Sequence, residues 1–265
     1  MIAAVARAGL PLALFLAASI AQAAPGGDQL GENGQPFARE EASPTAKAAT
    51  LRSVRWPIRE IPVCWEDPQP QHARQRQQVR TAVAASWETV ANVRMIGWEA
   101  CAPGERAVRI TVGPTEWPRA ILGRWALSTR TTMWLNFDMS AMEGFSGCRG
   151  QEDRCEQFTA VHEFGHMLGL IHEQDRPDTP ADCLRRLSQP GQVTTRPNDD
   201  LVMLTAYDPN SLMNYCSSDG WNPRVPLRLT PDDVKGIQIL FGPPPARPDK
   251  PEPPKPSRKP RFVAD

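Results

Sequence analysis

His162-Glu163-Phe164-Gly165-His166-Met167-Leu168-Gly169-Leu170-Ile171-His172-Glu173 decides how this 265-residue chain is read. Residues four apart on a helix share a face, so His162 and His166 point their imidazoles the same way. Glu163 follows directly and is offset around the helix. It can reach a water on an ion without ligating the ion itself. Gly169 permits the left-handed backbone that ends a helix at low steric cost. The chain turns there, and His172 comes back as a third imidazole. Three neutral histidines leave the full charge on Zn2+ and a fourth position open to water, the layout of a catalytic site. The competing reading is an amphipathic helix with partly buried histidines. It would have to crowd three of the chain's four histidines into one short stretch by coincidence.

The spacing H-E-x-x-H-x-x-G-x-x-H resembles the extended zinc signature of the metzincin metallopeptidases. Ser211-Leu212-Met213-Asn214-Tyr215 resembles the metzincin Met-turn, in which a methionine, here Met213, lies beneath the zinc-binding histidines. Glu173, the continuation Gln174-Asp175-Arg176-Pro177-Asp178 and the S-x-M-x-Y form of the turn are similar to the astacins and their bacterial relatives. The resemblance runs over residues 50–242. It implies an α+β fold: a metzincin-like zinc peptidase domain with a twisted mixed sheet, an active-site helix and a C-terminal helix. It also implies His162, His166 and His172 as Zn2+ ligands, Glu163 as general base, and Tyr215 as a switchable further ligand that helps hold the oxyanion. Taken alone, Met213 and Tyr215 would be core residues. Arg55-Trp56-Pro57 followed by Ile61-Pro62-Val63 resembles the start of the astacin catalytic domain. In that family the residue matching Glu173 can bind a newly cut N-terminus, here an amine near Ala48 or Ala49. A plain surface or core-edge carboxylate is the alternative.

The ends of the chain differ in kind from its middle. Arg7, the apolar run Ala8 to Ile20 and Ala21-Gln22-Ala23 read as a secretory signal at residues 1–23. The run is too short to span a bilayer comfortably. Residues 24–50 lack any period and read as a linker or pro-segment, with neither an F-x-G-D sequence nor a cysteine before Cys64 to block a metal. The catalytic domain is expected at 51–242. Residues 243–265 are proline-dense and interleaved with Lys and Arg, an extended polyproline-like tail. A solvated tail, a spacer, a ligand for an aromatic groove and a contact with an acidic cell-wall polymer are all open readings of it.

Lys+Arg and Asp+Glu both count 30, so charge argues for neither nucleic acid nor an anionic membrane surface as partner. The expected location is secreted or periplasmic, without stable membrane insertion. Six cysteines in an exported chain suggest disulfides. Fifteen full pairings exist; Cys64–Cys101, Cys148–Cys155 and Cys183–Cys216 form the working set. Zinc held by cysteine is the weaker reading, since the chain has no C-x-x-C pair.

Apolar Val79, Ala82, Val83, Trp87 and Val90 predict a helix over 75–90. Val108 to Val112 predicts a strand. Thr131 to Phe137 predicts another, with Met133, Leu135 and Phe137 on one face and Trp134 and Asn136 on the other. The metzincin pattern makes this the edge strand with which extended substrates pair, Trp134 either lining the cleft or packing. The zinc helix is expected from Cys155 to Gly169. Residues 174–210 read as a long loop broken by five prolines, tethered by Cys183 to Cys216. Thr230-Pro231-Asp232-Asp233 opens a capped helix that ends at Gly242. The function expected is a secreted zinc endopeptidase acting on protein or peptide substrates through a zinc-activated water. A wall-peptide amidase and a non-catalytic zinc-stabilised binding module are the alternatives. Glu163 counts against the latter, because such modules usually lose the base.

Overall fold

Eighteen residues from Ala73 to Val90 form helix α1, and they bury Val79, Ala82, Val83 and Trp87 on one side. The computed structural model describes residues 47–114, 116–139, 146–187, 200–216 and 226–246. The expected signal, most of the linker and most of the proline-rich tail lie outside these residues.

Helix α1 is the crossover between two parallel neighbours, β2 (Glu60–Trp65) and β3 (Arg94–Ala100), as a parallel pair requires. β4 (Val108–Val112) adds on the other side of β2, and β6 (Met133–Leu135) adds to β4, both parallel. β5 (Arg119–Ala120) closes the row antiparallel to β6. The order is therefore β3-β2-β4-β6-β5, a mixed five-stranded sheet. Its strands supply Ile61, Ile110, Met133 and Leu135 to the core. The expected edge strand is thus not at the edge. β6 has a partner on each side, and the two-residue β5, preceded by Pro118, takes the outer position. The ladder also covers only three of the seven residues expected, because Asn136 turns inward. Its side-chain nitrogen donates to the Pro114 carbonyl at 2.9 Å and to the Glu116 carbonyl at 3.3 Å.

Helix α2 (Glu152–Leu168) packs on α1 and is buried along most of its length. Trp87 reaches across from α1, and its indole nitrogen donates to the Val161 carbonyl at 2.9 Å. Each such large side chain contributes roughly 1.5–3 kcal/mol by leaving water. Helix α3 (Ala181–Arg186) and strand β7 (Leu201–Thr205) lie within the stretch read as loop. β7 pairs antiparallel with β1 (Lys47–Leu51), so the end of the expected linker belongs to the folded domain. Lys47, Ala48 and Ala49 have little strand propensity. β1 exists because its backbone is paired and its small side chains fit a close approach: a Cβ on Gly236 would meet the Ala48 Cβ at 2.7 Å. Helix α4 (Pro231–Phe241) starts with the expected capping box on Thr230 and Asp233 and is closed by Gly242. The disulfides are Cys64–Cys101, Cys148–Cys155 and Cys183–Cys216, as in the working set.

Candidate metal centre

The site is built where α2 stops. Gly169 takes φ 109°, a left-handed value that side chains rarely adopt. Leu170 N–H then bonds back to the Gly165 carbonyl at 2.9 Å, a Schellman-type closure. Thr50 on β1 caps the exit, its hydroxyl donating to the Gly169 carbonyl at 2.6 Å. The reversed chain carries His172 back over the helix.

His162 and His166 are buried, and each ring is oriented by a backbone carbonyl. His162 Nδ1 lies 2.8 Å from the Leu212 oxygen, and His166 Nδ1 lies 2.8 Å from the Leu170 oxygen. A carbonyl only accepts, so both Nδ1 atoms carry the proton and both Nε2 lone pairs face inward. His172 Nδ1 is 3.5 Å from the Asp175 carboxylate. The His172 Nε2 then sits 3.2 Å from that of His162 and 2.9 Å from that of His166. Nitrogens about 2.05 Å from a tetrahedral Zn2+ are spaced by about 3.3 Å. The three imidazoles therefore fit Zn2+. Burial holds His162 down to about 3, with the nearby His172 adding to the effect, and holds His166 well below its ordinary value. Neutral rings are the state that binds a metal.

Glu163 is 3% exposed, and its Oε2 has no hydrogen-bond partner among the described residues. Burial pushes its carboxyl up to about 8, while Arg119 pulls it down. A buried, unpartnered carboxylate oxygen is costly unless positive charge or a donor stands beside it. Zn2+ at the imidazoles, with its water, supplies both.

Met213 lies under the helix, 2% exposed. Its turn is bound to the His172 segment twice: Glu173 N–H donates to the Met213 carbonyl at 3.0 Å, and Tyr215 N–H donates to Gln174 Oε1 at 3.0 Å. The Tyr215 ring stacks on His162 at 5.7 Å between centroids and lies 4.3 Å from His172. Burial of the phenol, with the charges of Glu163 and Asp175, raises its pKa, so it remains a donor. Glu173 is buried against protein groups. Its Oε2 accepts from Asp208 N–H at 2.9 Å, and Arg176 approaches its Oε1 at 3.5 Å. The same Arg176 donates to the Thr205 carbonyl, opposite Lys47 at the start of β1.

No protein-family model and no curated protein sequence matches the chain. Among solved structures, one of myroilysin is 23% identical, covering 73% of this chain and 98% of that chain with a TM-score of 0.52. A second structure of myroilysin is 19% identical, covering 71% and 86% with a TM-score of 0.45. High choriolytic enzyme 1, a hatching enzyme zinc-protease from Oryzias latipes (medaka fish), is 18% identical, covering 68% and 88% with a TM-score of 0.41. The α+β fold, with its mixed five-stranded sheet and packed helices, is similar to that of myroilysin. The sequence motifs name the three histidines, Glu163, Met213 and Tyr215, and the fold brings these residues together. The motifs do not reveal the groups that aim them: the Leu212 and Leu170 carbonyls, Asp175, Gln174 and Asp233. Only Asp175, at i+3 from His172, left a sequence signal, as the carboxylate that orients a ligating histidine.

Proposed function

We propose that the protein is an exported zinc endopeptidase of the astacin type. One observation carries the reading: three imidazole nitrogens converge beside a buried carboxylate whose Oε2 has no hydrogen-bond partner among the described residues. His162, His166 and His172 would hold Zn2+, which would supply Lewis acidity and lower the pKa of water at the site to about 7. Glu163 takes the proton from the attacking water and returns it to the leaving amine. The Tyr215 hydroxyl donates to the oxyanion, and stacking on His162 and the Gln174 bond fix its position.

The substrate runs along β5. Ile121 N–H donates inward to the Thr132 carbonyl at 2.9 Å, and Arg119 stands opposite Trp134. Hydrogen-bonding groups alternate along an antiparallel strand, so the N–H and C=O of Ala120 face outward. An extended peptide adds to such an edge through its backbone. Three disulfides fit an oxidising compartment, and no described helix is long and apolar enough to cross a membrane.

Digestion of a peptide library read by mass spectrometry, with and without chelator, tests the proposal. Cleavage that disappears with chelator and returns with added zinc is the expected result. Inhibition by a serine-directed reagent, with chelators harmless, would sink it. Casein compared with purified peptidoglycan separates the endopeptidase from an amidase of wall peptides.

A further inference from the structure

The rim at β5 carries a charged group that the zinc chemistry does not require. Arg119 lies directly across the ladder from Trp134, with its guanidinium carbon 4.1 Å from the ring centroid. Stacking of this kind holds the guanidinium flat and reduces the freedom lost when it binds. Its bonds to protein all leave from one nitrogen. Nη1 donates to Glu116 Oε2 at 2.9 Å and to the Trp117 carbonyl at 3.0 Å. Nε and Nη2 make no hydrogen bond among the described residues. Those two N–H groups form one edge of the guanidinium, the fork that takes a carboxylate side-on through two parallel bonds. Arg119 and Glu116 are 49% and 38% exposed, so their ion pair is a weak competitor.

The location gives the fork a purpose. β5 is the sheet's outer strand and packs on α2, the helix that carries His162, Glu163 and His166. Trp117 and Ile121, flanking it in sequence, are 57% and 39% exposed. A peptide paired with Ala120 would pass a preorganised cationic fork set among apolar surface.

Resting on the peptidase reading above, we propose that Arg119, stacked on Trp134, is a specificity residue that binds a substrate carboxylate through Nε and Nη2. The enzyme then prefers peptides with Asp or Glu in the stretch lying along β5, or peptides whose terminal carboxylate falls there.

The test starts from a neutral peptide that the zinc-loaded enzyme cleaves. Asp and Asn are exchanged at each position on either side of the cut, and free-acid and amidated C-termini are compared. At one position Asp should raise kcat/KM over Asn by roughly ten- to a hundredfold. That advantage should shrink as salt rises. An effect of amidation instead, without a side-chain effect, assigns the fork to the terminal carboxylate. Arg119→Gln should bring the ratio to about one. Arg119→Lys should leave it intermediate, because the charge stays and the fork is lost. Zinc content and thermal unfolding of both variants check that the site is intact. A wild-type ratio near one in every arm, or a ratio that survives Arg119→Gln, overturns the proposal and leaves the peptidase reading standing. If no peptide is cleaved with zinc present, both fall.

Discussion

Gly165 stands between the two helical ligands, and replacing it with alanine sets two effects against each other. Glycine inside a helix costs about 1 kcal/mol relative to alanine, so the isolated helix would gain by the change. In this structure the new Cβ would lie 2.5 Å from Met213 Sδ, 3.2 Å from Met213 Cε and 3.2 Å from Trp87 Cζ2. Comfortable contact is about 3.5–4.0 Å, so the sulfur would have to move by roughly 1 Å. A methionine usually adapts. This one is hemmed in: its N–H donates to Ser211 Oγ at 3.0 Å, its carbonyl accepts from Glu173, and Trp87 is held on Val161. Displacing the turn also displaces the Leu212 carbonyl that orients His162.

Overpacking of a core typically costs about 1–3 kcal/mol. Less the gain in helix propensity, Gly165→Ala should lose about 1 kcal/mol, with weaker zinc binding. Denaturant unfolding of the oxidised protein, metal-free and zinc-loaded, measures the first effect; competition with a chelating dye measures the second. Met213→Ala should itself destabilise by roughly 2–5 kcal/mol. Because it removes the atom that the new methyl meets, the double variant should fall short of the summed losses by about 1–2 kcal/mol. Strict additivity, or a single Gly165→Ala variant as stable and as zinc-avid as the parent, would refute the contact as the reason for glycine.

Glu163→Gln should keep its zinc by metal analysis yet lose turnover by roughly 10²–10⁴; loss of the metal would mean that the residue is not a base beside the ion. Tyr215→Phe should lower kcat by about 10²–10³ with little change in KM, as expected for an interaction made mainly in the transition state. A wild-type rate would reduce Tyr215 to packing. Glu156 is 4% exposed, its Oε2 has no partner among the described residues, and burial raises its pKa from 4.5 to about 7. A raised carboxyl pKa means that folding favours the proton. The contribution is full below pH 4.5 and is lost as pH rises through 7. Glu156→Gln should therefore stabilise the protein by about 2–3 kcal/mol at pH 8 and hardly at all at pH 4; a difference independent of pH in denaturant melts would contradict this.

The parts of the fold that could be read from the chain are those whose cause is local. α1 shows a helical apolar period, α4 carries its own capping box, and the zinc helix announces its end with Gly169. β1, β5 and β7 are different. Each is short, and each is a strand because another segment pairs with it. Leu201 to Thr205 has the composition of a strand, but the prolines around it argued for loop. Arg119-Ala120 is too short to show any alternation. The mistaken edge strand follows from that: without β5, β6 is the last strand before the helix and seems to lie outermost.

The site divides along the same line. Histidine, glutamate and tyrosine side chains at fixed spacing are visible in sequence because their chemistry is in the side chain. The groups that orient them are largely backbone carbonyls, which every residue has. Asp233 shows the consequence. In sequence it is the capping-box residue of a structural helix, and it does accept from Thr230 N–H at 3.0 Å. Yet Oδ1 also accepts from the Ser211 hydroxyl at 2.6 Å, and Oδ2 accepts from Leu212 N–H at 3.1 Å. Ser211 in turn accepts from Met213 N–H. One buried carboxylate thus joins the start of α4 to the turn beneath the histidines, and the Leu212 carbonyl that holds the His162 proton is positioned by it. The C-terminal helix belongs to the metal centre's support. The serine of the S-x-M-x-Y motif has a physical reason as well: its hydroxyl donates to Asp233 while accepting from Met213 N–H.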